Sequence, residues 1–288
     1  CPFPTTPTCV ANGTEPAQWD LISVGNPASG SAGLKAETSH QWTLGGRWEP
    51  MQTLSMGLDY WAVKLKDQIL NGMPEGYAFA NAASLQDLFV NPYQDPAGYP
   101  TIALIQKPFN AGKASYQGID WEFDFRTTTP FGKMSASLGG THMLKADYEL
   151  PGGKQTDLGK FGGDNNVVFR DIMRLTLGLQ YGDFTHTAMV KYKSGYKDQA
   201  FTAESGNVTD ADGNGVAYNG NVSSYTTVDW QTRWQYSKDL RFTLGITNLF
   251  DEAPPRSLKL VGGNQVGYDG RYADPTGRAF TLGASFRF

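Results

Sequence analysis

Apolar and polar positions alternate with a period of two through nine stretches of the chain. Trp42, Leu44, Gly46 and Trp48 fall on one face and Thr43, Gly45 and Arg47 on the other, as in a strand. Glu49-Pro50-Met51-Gln52 supplies a turn, after which Leu54, Met56, Leu58 and Tyr60 alternate with Ser55, Gly57 and Asp59, so the two stretches predict a hairpin. The pattern returns in GIDWEFDFR, KMSASLGGTHMLK, LTLGLQY, FTHTAMVKYK, VDWQTRWQY, LRFTLGITN and RAFTLGASFRF, the last placing Phe280, Leu282, Ala284, Phe286 and Phe288 together.

Alternation alone fits a soluble sandwich as well as a membrane wall, and the two differ in where charges fall. Over 42–48, 53–62, 118–126, 133–145, 173–181, 184–193, 228–235, 240–248 and 279–288, every Asp, Glu, Lys and Arg lies opposite the apolar stripe. A charge facing lipid at the bilayer midplane costs about 2–4 kcal/mol, whereas a lumen accepts it. Lys64 and Lys66 continue the apolar parity beyond Tyr60, which predicts that their strand extends past the membrane. Connections are short after odd-numbered strands and long after even-numbered ones, the pattern of periplasmic turns and extracellular loops. An open sheet leaves unpaired backbone in hydrocarbon, so nine strands call for a complement. The chain also starts at Cys1 without a leader, and both features read as a fragment.

Composition narrows the classes. Gly 34 and 13% aromatic residues suit many strands with tight turns, and a mean hydropathy of −0.41 with no long apolar run leaves no helix to cross a bilayer. A net charge of −4 argues against nucleic acid as a partner. Cys1 and Cys9 are the only cysteines, in CPFPTTPTC, and are expected to form a disulfide, with two free thiols as the alternative.

Three segments resemble the TonB-dependent outer-membrane receptors: NPASGSAGLKAETSHQWTLGGRWEP (Asn26 to Pro50), ITNLFDEAPP (Ile246 to Pro255) and GYDGRYADPTGRAFTLGASFRF (Gly267 to Phe288). The resemblance implies an all-β transmembrane antiparallel barrel of about 22 strands, with this chain giving the C-terminal nine and lacking the plug domain. It implies localisation in the bacterial outer membrane. It also implies active uptake of a scarce nutrient, foremost a ferric siderophore or other iron complex, driven by TonB. Alternatives are a passive porin-like channel, or TonB-dependent uptake of carbohydrate, peptide or cobalamin. Expected partners are the remainder of the receptor, the TonB complex, outer-membrane lipid and a small-molecule ligand. No enzyme activity and no cofactor is implied. Phe288 would be the assembly signal. Residues 1–37 would form an extracellular loop, and 38–288 the strands with long loops at about 70–112, 148–168, 197–223 and 251–276.

Candidate sites are modest. Arg47, Asp120, Glu122, Asp124, Arg126, Arg174, Asp229, Arg233, Arg241 and Arg287 are expected to face lumen and plug. Lys145, Lys191, Lys193 and Tyr196 are candidate substrate-binding residues nearer the outside. Asp210, Asp212, Asn214 and Gly215 have the spacing that opens a calcium loop, but Asn221 stands where its bidentate Glu belongs, and turn chemistry explains the run better. His40, His142 and His186 fall on different strands with no ligand spacing, so no metal site is expected. Trp42, Trp48, Tyr60, Trp121, Trp230, Trp234 and Tyr236 suit interfacial girdles, and the sequons at Asn12, Asn207 and Asn221 read as loop polarity.

Overall fold

The computed structural model describes residues 19–23, 33–70, 72–73, 75–94, 96–98, 100–110, 112–150, 153–162, 166–198, 220–258 and 267–288. The expected Cys1–Cys9 bridge, the run from Asp210 to Gly215, and Asn12 and Asn207 lie outside these residues.

Nine long strands appear where the alternation predicts them. They are β1 (Thr38–Met51), β2 (Leu54–Lys66), β3 (Lys113–Thr129), β4 (Gly132–Leu150), β5 (Asp171–Tyr181), β6 (Phe184–Lys193), β7 (Tyr225–Gln235), β8 (Leu240–Thr247) and β9 (Ala279–Phe286). They form one sheet in chain order, with the short strand Gly153–Thr156 paired to β4. β1–β2, β3–β4 and β5–β6 are each joined by two residues, whereas the intervening connections are far longer. Gly182, in the β5–β6 turn, has φ +55, a conformation that glycine adopts without strain.

The register carries the face segregation through from sequence to sheet. Met134, Leu179, His186, Thr232, Leu244 and Leu282 stand opposite one another across β4 to β9, and Ala136, Leu177, Ala188, Trp230, Ile246 and Phe280 form the next such row. Between them runs Ser135, Gly178, Thr187, Gln231, Gly245 and Thr281, on the other face. That second face also holds Arg174 opposite Lys191, Met189 opposite Asp229, Arg233 opposite Thr185, and Arg241 opposite Ser285. Because side chains alternate strictly, this register keeps the two sets apart over six strands. The apolar rows are open rather than packed: Leu44 is 71% exposed, Phe280 68% and Leu282 81%. An uncovered apolar face of this extent fits contact with lipid and not a sandwich core.

Aromatic side chains gather on the apolar face near the two-residue turns. Phe184 stacks on Trp234 at 5.8 Å, and Trp234 meets Tyr236 at 5.1 Å and Phe242 at 5.7 Å. The charged face is built differently, with glycines making room for their neighbours. A Cβ on Gly118 would lie 2.6 Å from the Trp61 ring, so only glycine permits that approach.

β1 and β9 are the two ends of the sheet, and among the described residues neither pairs with the other. β9 is bonded on one side to β8, from Leu240 opposite Phe286 to Thr247 opposite Ala279.

The chain divides into two compact units, 1–40 with 63–115 and 147–155, and 41–62 with 116–146 and 156–288. The first holds structure that strand alternation does not reveal. Pro100–Gln106 pairs parallel with Trp19–Ser23 and antiparallel with Phe89–Gln94, and α1 (Glu75–Ala80) lies in the chain between Trp19–Ser23 and the other two. Ala78, Phe79, Leu88 and Leu104 form its core, with Phe79 and Phe89 rings 5.2 Å apart. The LKAETS run ties in here: Glu37 Oε1 accepts from Ile69 N, and Asn110 Nδ2 donates to the Lys35 carbonyl. Within the second unit, the NLFD run is a turn. Asn248, at φ +50, exchanges two hydrogen bonds with the Glu252 backbone, and Asp251 Oδ1 accepts from Arg278 N at the start of β9.

Candidate functional site

In the second unit, described residues of the connections after β4, β6 and β8 meet above the charged face. Their packing starts from aromatic residues that leave the strand ends: Phe169 before β5, Tyr196 after β6 and Tyr272 before β9. Phe169 meets Tyr272 edge-on at 5.0 Å and Tyr196 at 5.7 Å, and Val167 and Val222 complete the buried cluster. Edge-to-face pairs of this kind each contribute about 0.5–1.5 kcal/mol beyond burial.

Polar groups lock the same three loops. Tyr272 Oη accepts from Val167 N at 3.0 Å, and its carbonyl accepts from Lys193 Nζ at 2.8 Å. Arg271 clasps the buried Asp269 through Nε and Nη2, the latter at 2.7 Å, and its guanidinium lies 4.9 Å over the Tyr272 ring. The hydrogen bond to Asp269 holds the Arg271 pKa above its usual value. Asp198, also buried, accepts from Ser257 Oγ at 3.1 Å and Leu258 N at 2.7 Å. Burial pushes the Tyr196 phenol up to about 12, with Asp198 and Asp269 acting in the same direction. On the surface, Asp274 is held below the carboxylate range by the Thr276 hydroxyl and then the Thr276 N–H.

Beneath these loops is a cavity of ≈ 180 Å³, lined by Lys191, Lys193, Tyr225, Asp229, Tyr272 and Asp274 among others. Lys191 pairs with Asp229 at 2.7 Å, and Asn248 N fixes the other carboxylate oxygen. The cavity thus presents ammonium, phenol, hydroxyl and carboxylate groups that are already oriented by protein partners. Two ammonium and two carboxylate groups balance in this lining, which gives the cavity a polar surface with no excess of either charge.

Of the residues singled out from sequence, Lys191 and Lys193 come together at this cavity. Tyr196 is drawn into the loop packing and is 7% exposed. Lys145 stands on β4 and is not among the cavity's lining residues. Near the two-residue turns, Arg47, Asp124 and Arg126 line a second, polar hollow of ≈ 250 Å³, and Arg47 pairs with Glu122. Asp120 accepts from Thr141 Oγ1 at 2.6 Å. His142 pairs with Asp171, and His186 bonds Thr232. Among the described residues no group of three or more His, Cys, Asp or Glu is placed to hold a metal. Tyr272, Arg271, Asp269, Asp198 and Phe169 were not legible as site residues. For Asp269, Arg271 and Tyr272 the sequence signal is the density of aromatic, Arg and Asp residues in the GYDGRYADP run, and Phe169 and Asp198 lie outside it.

Comparison with known proteins supplies the remaining observations. Residues 10–249 match the family model described as TonB dependent receptor-like, beta-barrel. No curated protein sequence matches the chain. Among solved structures, a point mutant of the ferric enterobactin receptor from Pseudomonas aeruginosa, in complex with enterobactin, superposes with a TM-score of 0.57 at 22% identity. That match covers 93% of this chain and 33% of the receptor. The siderophore receptor PirA from Acinetobacter baumannii gives 0.56 at 19% identity, over 88% of this chain and 32% of that one. The FrpB iron transporter from Neisseria meningitidis gives 0.54 at 15% identity, over 90% and 32%. At these identities the likeness is one of fold, and the chain spans about a third of the length of the structures it matches.

Proposed function

Since the chain belongs to the TonB-dependent receptor β-barrel family, whose members are outer-membrane barrels, we propose that it forms part of the wall of a receptor importing a ferric siderophore or another iron complex, driven by TonB. The observation carrying this reading is the pre-organised polar cavity under locked loops, at the long-connection end of a sheet with one charged and one apolar face. The ferric enterobactin and siderophore receptors among its structural neighbours support iron as the cargo. In this reading the charged face, including Arg174, Arg233, Arg241 and Arg287, looks inward on a plug supplied by the remainder of the receptor. Ligand enters from the side of the locked loops, where Lys191 and Lys193 present charge and Tyr225 and Tyr272 present phenols and aromatic rings. The wall residues have a binding role and TonB supplies the work.

The test is uptake of labelled ferric siderophores by cells expressing the intact receptor under iron limitation. Uptake that saturates and stops on collapse of the proton gradient supports the reading. Non-saturable uptake that persists without the gradient would establish a passive channel instead. Saturable, gradient-dependent uptake of a sugar, peptide or cobalamin with no iron complex transported would replace the cargo.

A further inference from the structure

The apolar face is not uniform. On the apolar face of β4 to β6 the small side chains of Ala136 and Ala188, on either side of Leu177, leave a trough of ≈ 370 Å³ whose lining reaches Phe125 of β3 and Trp230 of β7. Ala136, Leu177, Ala188 and Trp230 are direct cross-strand neighbours, so the trough runs across the strands rather than along them. No charged side chain lines it, and His186, its one titratable group, already bonds Thr232 Oγ1 at 2.9 Å. We propose that this trough is a binding site for one acyl chain of a membrane phospholipid, a proposal that rests on the outer-membrane reading above.

Geometry favours an acyl chain over other occupants. Five strands span four spacings of about 4.8 Å, or roughly 19 Å from Phe125 to Trp230. Barrel strands tilt about 35–45° from the axis, which leaves a line across them roughly 45–55° from it. A 19 Å trough at that angle descends about 11–13 Å, which fits within one leaflet's share of a hydrocarbon core about 30 Å thick. An added peptide strand has nothing to pair with, because β4, β5 and β6 are each bonded to a strand on both sides. The trough is continuous with the exposed apolar rows, so its occupant arrives from the same phase that covers them.

The test uses the intact receptor, purified in mild detergent after incorporation into phosphatidylcholine nanodiscs, with retained lipid counted by native mass spectrometry. Ala188→Trp fills the trough, and Ala284→Trp adds the same bulk to the apolar face elsewhere. One phosphatidylcholine retained by the unmodified protein and by A284W is expected. A188W should reduce it by about tenfold or more, the equivalent of losing roughly two buried methylenes. Equal retention in all three, or none in any, overturns the proposal, as does a dimer mass that A188W abolishes, which would assign the trough to a second copy. Heat-dependent gel migration reports separately that each variant is a folded membrane barrel. Loss of the lipid site thereby leaves the transport reading standing, and failure to fold as a barrel removes both.

Discussion

Replacing Tyr272 by Ala should unlatch the loops without unfolding the wall. The substitution removes two edge-on ring contacts, with Phe169 at 5.0 Å and Tyr196 at 6.2 Å, the surface beneath Arg271, and the hydroxyl that accepts from Val167 N. Two aromatic pairs at about 0.5–1.5 kcal/mol each, one hydrogen bond near 1 and one exposed cation–π contact at 0.5–1 sum to about 2.5–5 kcal/mol. That sum agrees with the usual cost of deleting a large aromatic residue. At the lower figure, local opening becomes about 10²-fold more frequent. Hydrogen exchange read by mass spectrometry on the intact receptor in nanodiscs should show that gain at 157–162, 166–170 and 194–198. Amides of β5 to β8 should keep their protection, since their ladders do not use Tyr272. Tyr272→Phe keeps the rings and loses only the hydroxyl, so about 1 kcal/mol, or roughly fivefold, is expected. Unchanged loop exchange in Y272A, or an equal rise throughout the strands, would refute the latch.

Three further outcomes are expected. Leu177→Arg should lower the folding stability of the barrel in lipid vesicles by about 2–4 kcal/mol, while Thr176→Arg, one residue away on the charged face, should be nearly neutral; similar losses would break the assignment of faces. Asn248→Ala should cost about 1–3 kcal/mol in thermal unfolding, from two lost bonds to Glu252 and a left-handed backbone, and Asn248→Gly should recover the backbone share only. Tyr196 keeps its proton in the folded loops to about 12 against 10.0 when free, so loop stability is full below pH 10 and falls as pH rises through that window. The tyrosinate absorbance difference between the protein and Tyr196→Phe should therefore show a midpoint near 12, and a midpoint at the free value would contradict the burial.

The strands were legible because lipid and lumen impose opposite demands on alternate residues, and Leu177 beside Thr176 records that demand directly in sequence. Their pairing in chain order follows from two-residue turns such as Gly182-Asp183. The helix Glu75–Ala80 and the parallel pairing of Trp19–Ser23 with Pro100–Gln106 were not legible. A parallel pair between segments so far apart leaves no turn signal, and Phe79 and Leu104 become a core only once those segments meet. Lys191 and Lys193 could be nominated because their parity and position on β6 are periodic properties. Asp269 and Arg271 could not, since loop residues have no period and their pairing depends on where three loops converge. Tyr196 was visible as a loop aromatic, but its burial against Phe169 was not.

The two-residue turns also decide where this chain tolerates a change in length. One residue inserted at Gly182-Asp183 would either break the turn or slip β6 by one position, which would carry Phe184, His186 and Ala188 inward and thrust Lys191 and Lys193 into lipid. Ten residues inserted between Lys197 and Asn221 would shift no register, because β6 and β7 are fixed by their own ladder from Phe184 opposite Trp234 to Lys193 opposite Tyr225. Loop closure charges only logarithmically for the extra length. Insertions and deletions in natural variants should therefore accumulate after β2, β4, β6 and β8, and spare the opposite turns.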